Sequence, residues 1–192
     1  MGPDGISGQV LKECNKELLE PMYDIISSTI KAGKVPQEWK RTDITPIYKS
    51  GNKQTPLNYR PVSLTSIVCK ICETIIKKQW IDHLERENKI CDSQFGFRQG
   101  KSCVTNLLCF YSRAIDMIQE REGWADCVYL DLKKAFDKVP HNRLIWKLQV
   151  QGGLGGKILD WMKDYLSSRE MRTVIREEKS GWRRVTSGVP QG

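Results

Sequence analysis

The run Tyr129-Leu130-Asp131-Leu132-Lys133-Lys134-Ala135-Phe136-Asp137-Lys138-Val139 carries the residues best suited to chemistry in this sequence. A carboxylate such as Asp131, closing an apolar segment, can hold a hard divalent cation through oxygen. Two-metal phosphoryl transfer uses such carboxylates to activate a 3′-hydroxyl and to steady a leaving pyrophosphate. One aspartate does not suffice; further carboxylates must come from elsewhere in a chain. The ring of Phe136, one turn further on, could press against a sugar and exclude a 2′-hydroxyl. The plainer alternatives are a strand-end cap or surface ion pair for Asp131, and core packing for Phe136.

A second group is Gly96-Phe97-Arg98-Gln99-Gly100-Lys101-Ser102. Its ending resembles a phosphate-cradling Walker A loop, but Phe95 occupies the place of the first glycine and a helix precedes it, so that pattern fails. The remaining readings are a loop that sets the planar donor fork of Arg98 against phosphate, with Lys101 beside it, or a solvated basic loop. Asn58-Tyr59-Arg60-Pro61-Val62-Ser63-Leu64 places Arg60 at a helix entry, and Lys70 falls about two turns into that helix. Both could meet phosphate, although isolated basic residues more often face solvent. Lys77, Lys78, Arg169, Arg172, Arg176, Arg183 and Arg184 could line a nucleic-acid track but are read as solvated faces.

These residues need elements to hold them. The apolar run from Ala125 to Leu130 reads as a buried strand that delivers Asp131 to its rim. Apolar spacing predicts a helix through Val10, Leu11, Cys14, Leu18 and Leu19, interrupted at Pro21. A second helix from Met22 would end at Gly33, with Pro21 in its first turn. Asp43–Lys49 reads as a strand, and Pro46 within it argues for a sheet edge. Helices follow over about 64–88, after the Phe95–Gly100 loop, and over about 141–151 and 157–167. Arg172–Arg176 and Arg183–Thr186, joined by Ser180-Gly181, suggest a hairpin. Segregated helices and short strands make the fold α+β.

The bulk numbers set the background. A chain of 192 residues with 39% hydrophobic and 28% charged composition has room for one folded domain or part of a larger one. Its 31 basic residues against 23 acidic ones give a net charge of +8, which suits a polyanionic partner without requiring one. The seven cysteines lie mostly among apolar residues and read as reduced, buried thiols. Cys69 and Cys72 form a CxxC pair inside a helical pattern, with no second pair at zinc spacing. The opening Met1-Gly2-Pro3-Asp4-Gly5 is turn chemistry rather than a signal peptide, so an intracellular, nuclear or cytoplasmic location is expected. No apolar run approaches the roughly 20 residues that span a bilayer.

Seven blocks, in order, resemble the reverse transcriptases of non-LTR (LINE-type) retrotransposons, close to the jockey and chicken-repeat-like elements. They are Gly2–Ile6, Val35–Lys40, Ile44–Lys49, Tyr59–Leu64, Phe95–Arg98, Tyr129–Val139 and Ser187–Gly192. The resemblance implies a right-hand polymerase fold, truncated, with 1–124 fingers-like and 125–192 the start of the palm with inserted helices. By that likeness Asp131 is the first metal-binding aspartate and Phe136 the sugar-discriminating ring, whereas Asp137 has a structural role. Arg60, Lys70 and Arg98 match basic positions at the nucleotide or template, with Lys101 beside them, and Gln191 matches a glutamine near both. The implied reaction is RNA-directed DNA polymerisation, with Mg²⁺ or Mn²⁺, an RNA template, a DNA primer and deoxynucleoside triphosphates. No membrane and no particular protein partner is implied.

The sequence departs from the family pattern in one respect. The family carries an adjacent Asp-Asp pair after the Pro-Gln-Gly block, and no such pair occurs here. The chain is therefore expected to be an N-terminal fragment that does not polymerise by itself. A passive nucleic-acid-binding remnant, a group II intron maturase-like enzyme, and an unfolded product of a decayed element stay open beside that reading.

Overall fold

Ser7 starts the first helix. Its backbone is extended and its Oγ accepts the Gln9 N–H at 3.2 Å, capping α1 (Gly8–Glu13). The next helix, α2 (Asn15–Ala32), begins directly after Cys14 and runs through Pro21 without ending. The break expected at Pro21 is therefore at Cys14, whose φ of −98° and ψ of 28° leave the helical region. Proline's fixed φ is helical, so the cost is one missing N–H and a clash with the preceding turn. Packing of Met22, Ile26 and Ile30 into the core offsets it. The other end is as expected: Gly33 is left-handed at φ 66°, and its N–H reaches the Ile30 carbonyl. A Cβ there would lie 2.9 Å from Asp160 Cβ, so the site needs glycine twice over.

The computed structural model describes residues 2–120, 123–132 and 134–191. Lys133 and Gly192, which belong to two of the motifs above, lie outside the described residues. By its contacts the chain forms two units, Met1–Asp82 with Lys134–Gly192, and His83–Lys133.

The first unit is built on a sheet of β1 (Arg41–Tyr48), β2 (Tyr59–Leu64), β3 (Glu170–Ile175), β4 (Glu178–Lys179) and β5 (Arg183–Arg184). β1 pairs antiparallel with β2 along its length and parallel with β3 from Arg41 to Ile44. It is thus an inner strand at its start, contrary to the edge expected from Pro46. Pro46 lies beyond the β3 pairing and faces Pro61 across the ladder. Lys49 N–H donates to the Asn58 carbonyl at 2.9 Å, which fixes the alternation so that the Pro46–Pro61 pair needs no N–H from either residue. The hairpin after β3 turns at Arg176-Glu177 rather than at Ser180-Gly181, with Arg176 at φ 56°. Between β4 and β5 the register against β3 slips by one residue, a bulge in which Ser180 Oγ accepts the Thr173 N–H at 2.9 Å.

Beside the sheet in this unit, α2, α3 (Ile67–Arg86), α5 (His141–Trp146, continuing as a π-helical turn through Gln151) and α6 (Gly156–Leu166) pack with one another. Their shared core holds Ile26, Val68, Cys69, Cys72, Trp161 and Tyr165, the last two stacked at 5.2 Å. Lys40, itself buried, donates to Asp164 at 2.9 Å, and the same carboxylate accepts the Val35 N–H at 2.8 Å. Burial pushes the Asp164 carboxyl up, but Lys40 and Val35 together outweigh it and hold it below its ordinary value.

The second unit holds the end of α3, the Phe95 loop and α4 (Cys103–Glu120). Here the expected buried strand is not formed. Residues 124–132 pair with no other strand among the described residues, and Leu130 is 93% exposed. An apolar run needs neighbouring strands and covering layers to become an inner strand, and this unit supplies neither. Cysteine burial also differs from expectation: all seven thiols are free, but only Cys69 and Cys72 are buried.

Candidate functional site

Two motifs far apart in sequence meet through their backbones. Residues 134–138 form a turn in which Lys138 N–H donates to the Lys134 carbonyl at 3.2 Å. On it lies the Ser187–Val189 segment: Val189 N–H donates to the Phe136 carbonyl and Gly188 N–H to the Val139 carbonyl, both at 2.9 Å. Gly188 has φ 85°, and a Cβ on it would come within 2.9 Å of the carbonyl oxygens of both Phe136 and Asp137. Only glycine allows this approach. His141 Nε2 lies 2.7 Å from the Gly188 carbonyl, an oxygen that can only accept, so that nitrogen carries the proton.

The same segment continues onto the sheet. Ser63 N–H donates to the Gln191 carbonyl at 2.6 Å, and Gln191 N–H donates to Ser63 Oγ at 3.1 Å. Gln191 thereby extends the outer edge of β2, three residues from Arg60. A cleft of about 600 Å³ opens here, with Pro61, Ser63, Asp137, Arg169, Arg172 and Gln191 on its walls. Strand alternation directs Arg60 to the face opposite Pro61 and Ser63. Arg60 is exposed and forms no ion pair among the described residues. The structure thus joins Phe136 to the Gln191 segment and leaves Arg60 on the other side of the strand.

Charge is also organised on the other face of the sheet, to which strand alternation turns Asp43 and Arg172. Asp43 takes a two-pronged contact from Arg172, Nε at 2.7 Å and Nη2 at 3.3 Å, and this hydrogen bonding holds the guanidinium above its ordinary pKa. The Trp182 ring stacks on Arg172 at 4.3 Å. Arg169 is buried, not solvated as its sequence surroundings suggest. Neither Asp43 nor Ser63 is marked out by sequence. An alternation count along Thr42–Ile47 would have placed Asp43 on the covered face only if β1 were known to be an inner strand.

The remaining candidates are more dispersed. Lys70 is exposed on the first turns of α3 and has no ion pair among the described residues. In the second unit Arg98 is committed internally: Nε and Nη2 grip Glu85 at 2.8 and 2.6 Å, and Nη1 donates to the Cys91 carbonyl at 3.0 Å. The Arg98 hydrogen bond holds the Glu85 carboxyl below its ordinary value. Lys101 donates to the Asp92 carbonyl and lies 4.7 Å over the Phe95 ring. Asp131 is exposed on the unpaired 124–132 run. Among the described residues no three His, Cys, Asp or Glu side chains converge. The residues present therefore do not, by themselves, fit a divalent-metal site. Among the described residues no helix is long and apolar enough to cross a membrane.

Comparison with known proteins matches residues 47–192 to the family model described as reverse transcriptase (RNA-dependent DNA polymerase). Over its whole length the chain is 30% identical to the probable RNA-directed DNA polymerase from transposon BS of Drosophila melanogaster. It is 27% identical to the RNA-directed DNA polymerase from mobile element jockey of the same species. The Pol polyprotein from the type-1 retrotransposable element R2 of Popillia japonica matches at 26%. The chain covers 21% of the length of the first two and 26% of the third.

Proposed function

Because this chain belongs to the reverse transcriptase (RNA-dependent DNA polymerase) family, we propose that it forms the nucleotide- and template-facing part of a longer RNA-directed DNA polymerase of the non-LTR retrotransposon kind. The family implies an RNA template, a primer, nucleotide substrates and dependence on a divalent metal in general. The finer assignments are a DNA primer, deoxynucleoside triphosphates, and Mg²⁺ or Mn²⁺ with Asp131 as one ligand. The division into a fingers-like 1–124 and a palm beginning at 125 belongs to the same proposal.

One observation supports this reading above the rest. Backbone hydrogen bonds tie Phe136 to Val189, Val139 to Gly188 and Gln191 to Ser63, so three separated motifs share one place. Phe136 is 40% exposed, a ring still free to meet a sugar. A 2′-hydroxyl pressed against it would lose water without gaining a partner, at a cost of about 1–3 kcal/mol. Gln191, with both a donor and an acceptor in its amide, suits contact with nucleotide and template together. Arg60 and Lys70, which form no ion pair among the described residues, are available to phosphate. Arg98 and Lys101 shape the 91–101 loop, and Arg98 would reach phosphate only by exchanging Glu85 for it.

On this reading the chain alone does not polymerise, because among the described residues no three His, Cys, Asp or Glu side chains gather to hold a metal at Asp131. The test is photocrosslinking of 5-iodo-dUTP to the purified chain on a primed RNA template, alongside primer extension. Crosslinks are expected within 59–64, 134–139 or 187–191, weakened about tenfold by Gln191→Ala. Phe136→Ala should bring dATP and ATP affinities together. Crosslinks confined to other segments would defeat the assignment. Primer extension by the isolated chain, lost in Asp131→Ala, would defeat its inactivity.

A further inference from the structure

Arg169 is 2% exposed, yet its guanidinium has no carboxylate within ion-pair distance among the described residues. Its partners are neutral: Nη2 donates to Thr42 Oγ1 at 2.9 Å, Nη1 to the Tyr165 carbonyl at 3.3 Å, and the Tyr165 ring lies 4.5 Å beneath it. The nearby acid, Glu73, is engaged by the Tyr165 hydroxyl at 3.0 Å and the Cys69 thiol at 3.2 Å instead. Arg172, on the other face of β3, shows the contrast, since Asp43 neutralises it. A buried cation without a counter-charge is costly unless an anion completes it.

The cleft that Arg169 lines also carries Arg183 and Arg184 on its walls, and Asp137 is the one carboxylate among the residues that line it. Arg183 and Arg184 are exposed on β5, held against β3 at Met171 and Glu170. We propose that this cleft seats a phosphate ester, with Arg169 as the buried anchor and Arg183 and Arg184 as the rim. Arginine's planar fork matches phosphate oxygens, and the covered side of the site strengthens the attraction. The phosphate belongs either to a nucleic-acid strand or to a free polyphosphate chain. The inference rests on the polymerase reading but assigns a site on the opposite face of β2 from Arg60.

The test is fluorescence anisotropy of a labelled 12-nucleotide RNA with the purified chain across a salt series. Arg183→Gln with Arg184→Gln should weaken binding about tenfold and flatten the salt slope by about 1.4. Arg176→Gln with Lys179→Gln, on the same hairpin but off the cleft walls, should change affinity less than about twofold. The Arg169 side-chain N–H resonances should shift on adding RNA, which a purely structural arginine would not show. Competition by inorganic tripolyphosphate assigns the seat to free polyphosphate as well; its failure, with RNA bound, assigns it to the strand. RNA affinity unchanged in the Arg183, Arg184 variant overturns the cleft and leaves the polymerase reading standing. No RNA binding by the unaltered chain at about 50 mM salt overturns both.

Discussion

Ser63 and Gln191 exchange two hydrogen bonds across the outer edge of β2, one from each backbone N–H, at 2.6 and 3.1 Å. The serine uses its N–H toward the Gln191 carbonyl and its hydroxyl oxygen toward the Gln191 N–H. The arrangement imitates a strand pair while leaving the glutamine amide free for a ligand. It also explains why a residue of β2 with no charge belongs to the site.

Ser63→Ala removes one of the two contacts at a buried position. A loss of about 1 kcal/mol in urea-measured stability is expected. The Gln191 amide should exchange with solvent markedly faster, while amides in the middle of α6 keep their protection. Unchanged exchange at Gln191 would show that the serine hydroxyl does not hold the segment.

Gly188→Ala meets two obstacles at once, a left-handed φ of 85° and carbonyl oxygens of Phe136 and Asp137 within 2.9 Å of the new carbon. Backbone atoms cannot rotate aside as a side chain can. A loss of about 1–3 kcal/mol is expected, lowering the melting temperature by several degrees. Nucleotide crosslinking at 134–139 should fall with it, because the turn carrying Phe136 loses its two anchors. A variant as stable as the parent would mean that the 187–189 segment does not depend on that approach.

Much of this was legible in the sequence where local chemistry decides the outcome. Gly33 ends α2 because a left-handed cap favours glycine, and the helix expected over about 64–88 forms as α3, although its covered face runs through Val68, Cys72 and Ile76 and leaves Ile71 and Ile75 exposed. Outcomes decided by neighbours were not legible. Pro21 stays inside a helix because the core holds the turns after it, and Pro46 lies in a strand paired on one side there and on both sides earlier. The 125–130 run has the composition of an inner strand, but composition cannot supply the strands that would flank it. Arg169 illustrates the same limit: its burial follows from how α6 leads into β3, which no spacing along the chain encodes.

The Glu85–Arg98 pair makes the 91–100 loop sensitive to acid. Arg98's hydrogen bond lowers the Glu85 carboxyl below its unfolded value, so the contribution is fully present above the ordinary carboxylate pKa of about 4.3 and is lost as pH falls through the folded value. Pepsin cleavage within 91–100 should therefore rise as pH drops below about 4, before cleavage in α6. Glu85→Gln should make the loop accessible to subtilisin, a protease active at neutral pH, and abolish that dependence. Equal susceptibility of Glu85→Gln and the parent at pH 7 would mean that the pair does not fasten the loop.

The cysteines should divide by reactivity, with one at each extreme set by its surroundings. Cys91 is exposed, and a hydrogen bond from the Ser93 hydroxyl, with the Ser93 backbone, favours its thiolate and lowers its pKa. Cys69 and Cys72 are sealed in the core: desolvation drives Cys69 far up, with Glu73 adding to it, and drives Cys72 up to about 11. The thiolate is the reacting form, so a depressed pKa and open access favour the same residue. Brief iodoacetamide treatment at pH 7, read by peptide mass spectrometry, should modify Cys91 first. Cys69 and Cys72 should remain unmodified until denaturant is added, and Ser93→Ala should slow Cys91 relative to Cys14. Early modification of Cys69 or Cys72 would mean that the α3 face against Trp161 and Tyr165 opens readily, and the core described for the first unit would then be wrong.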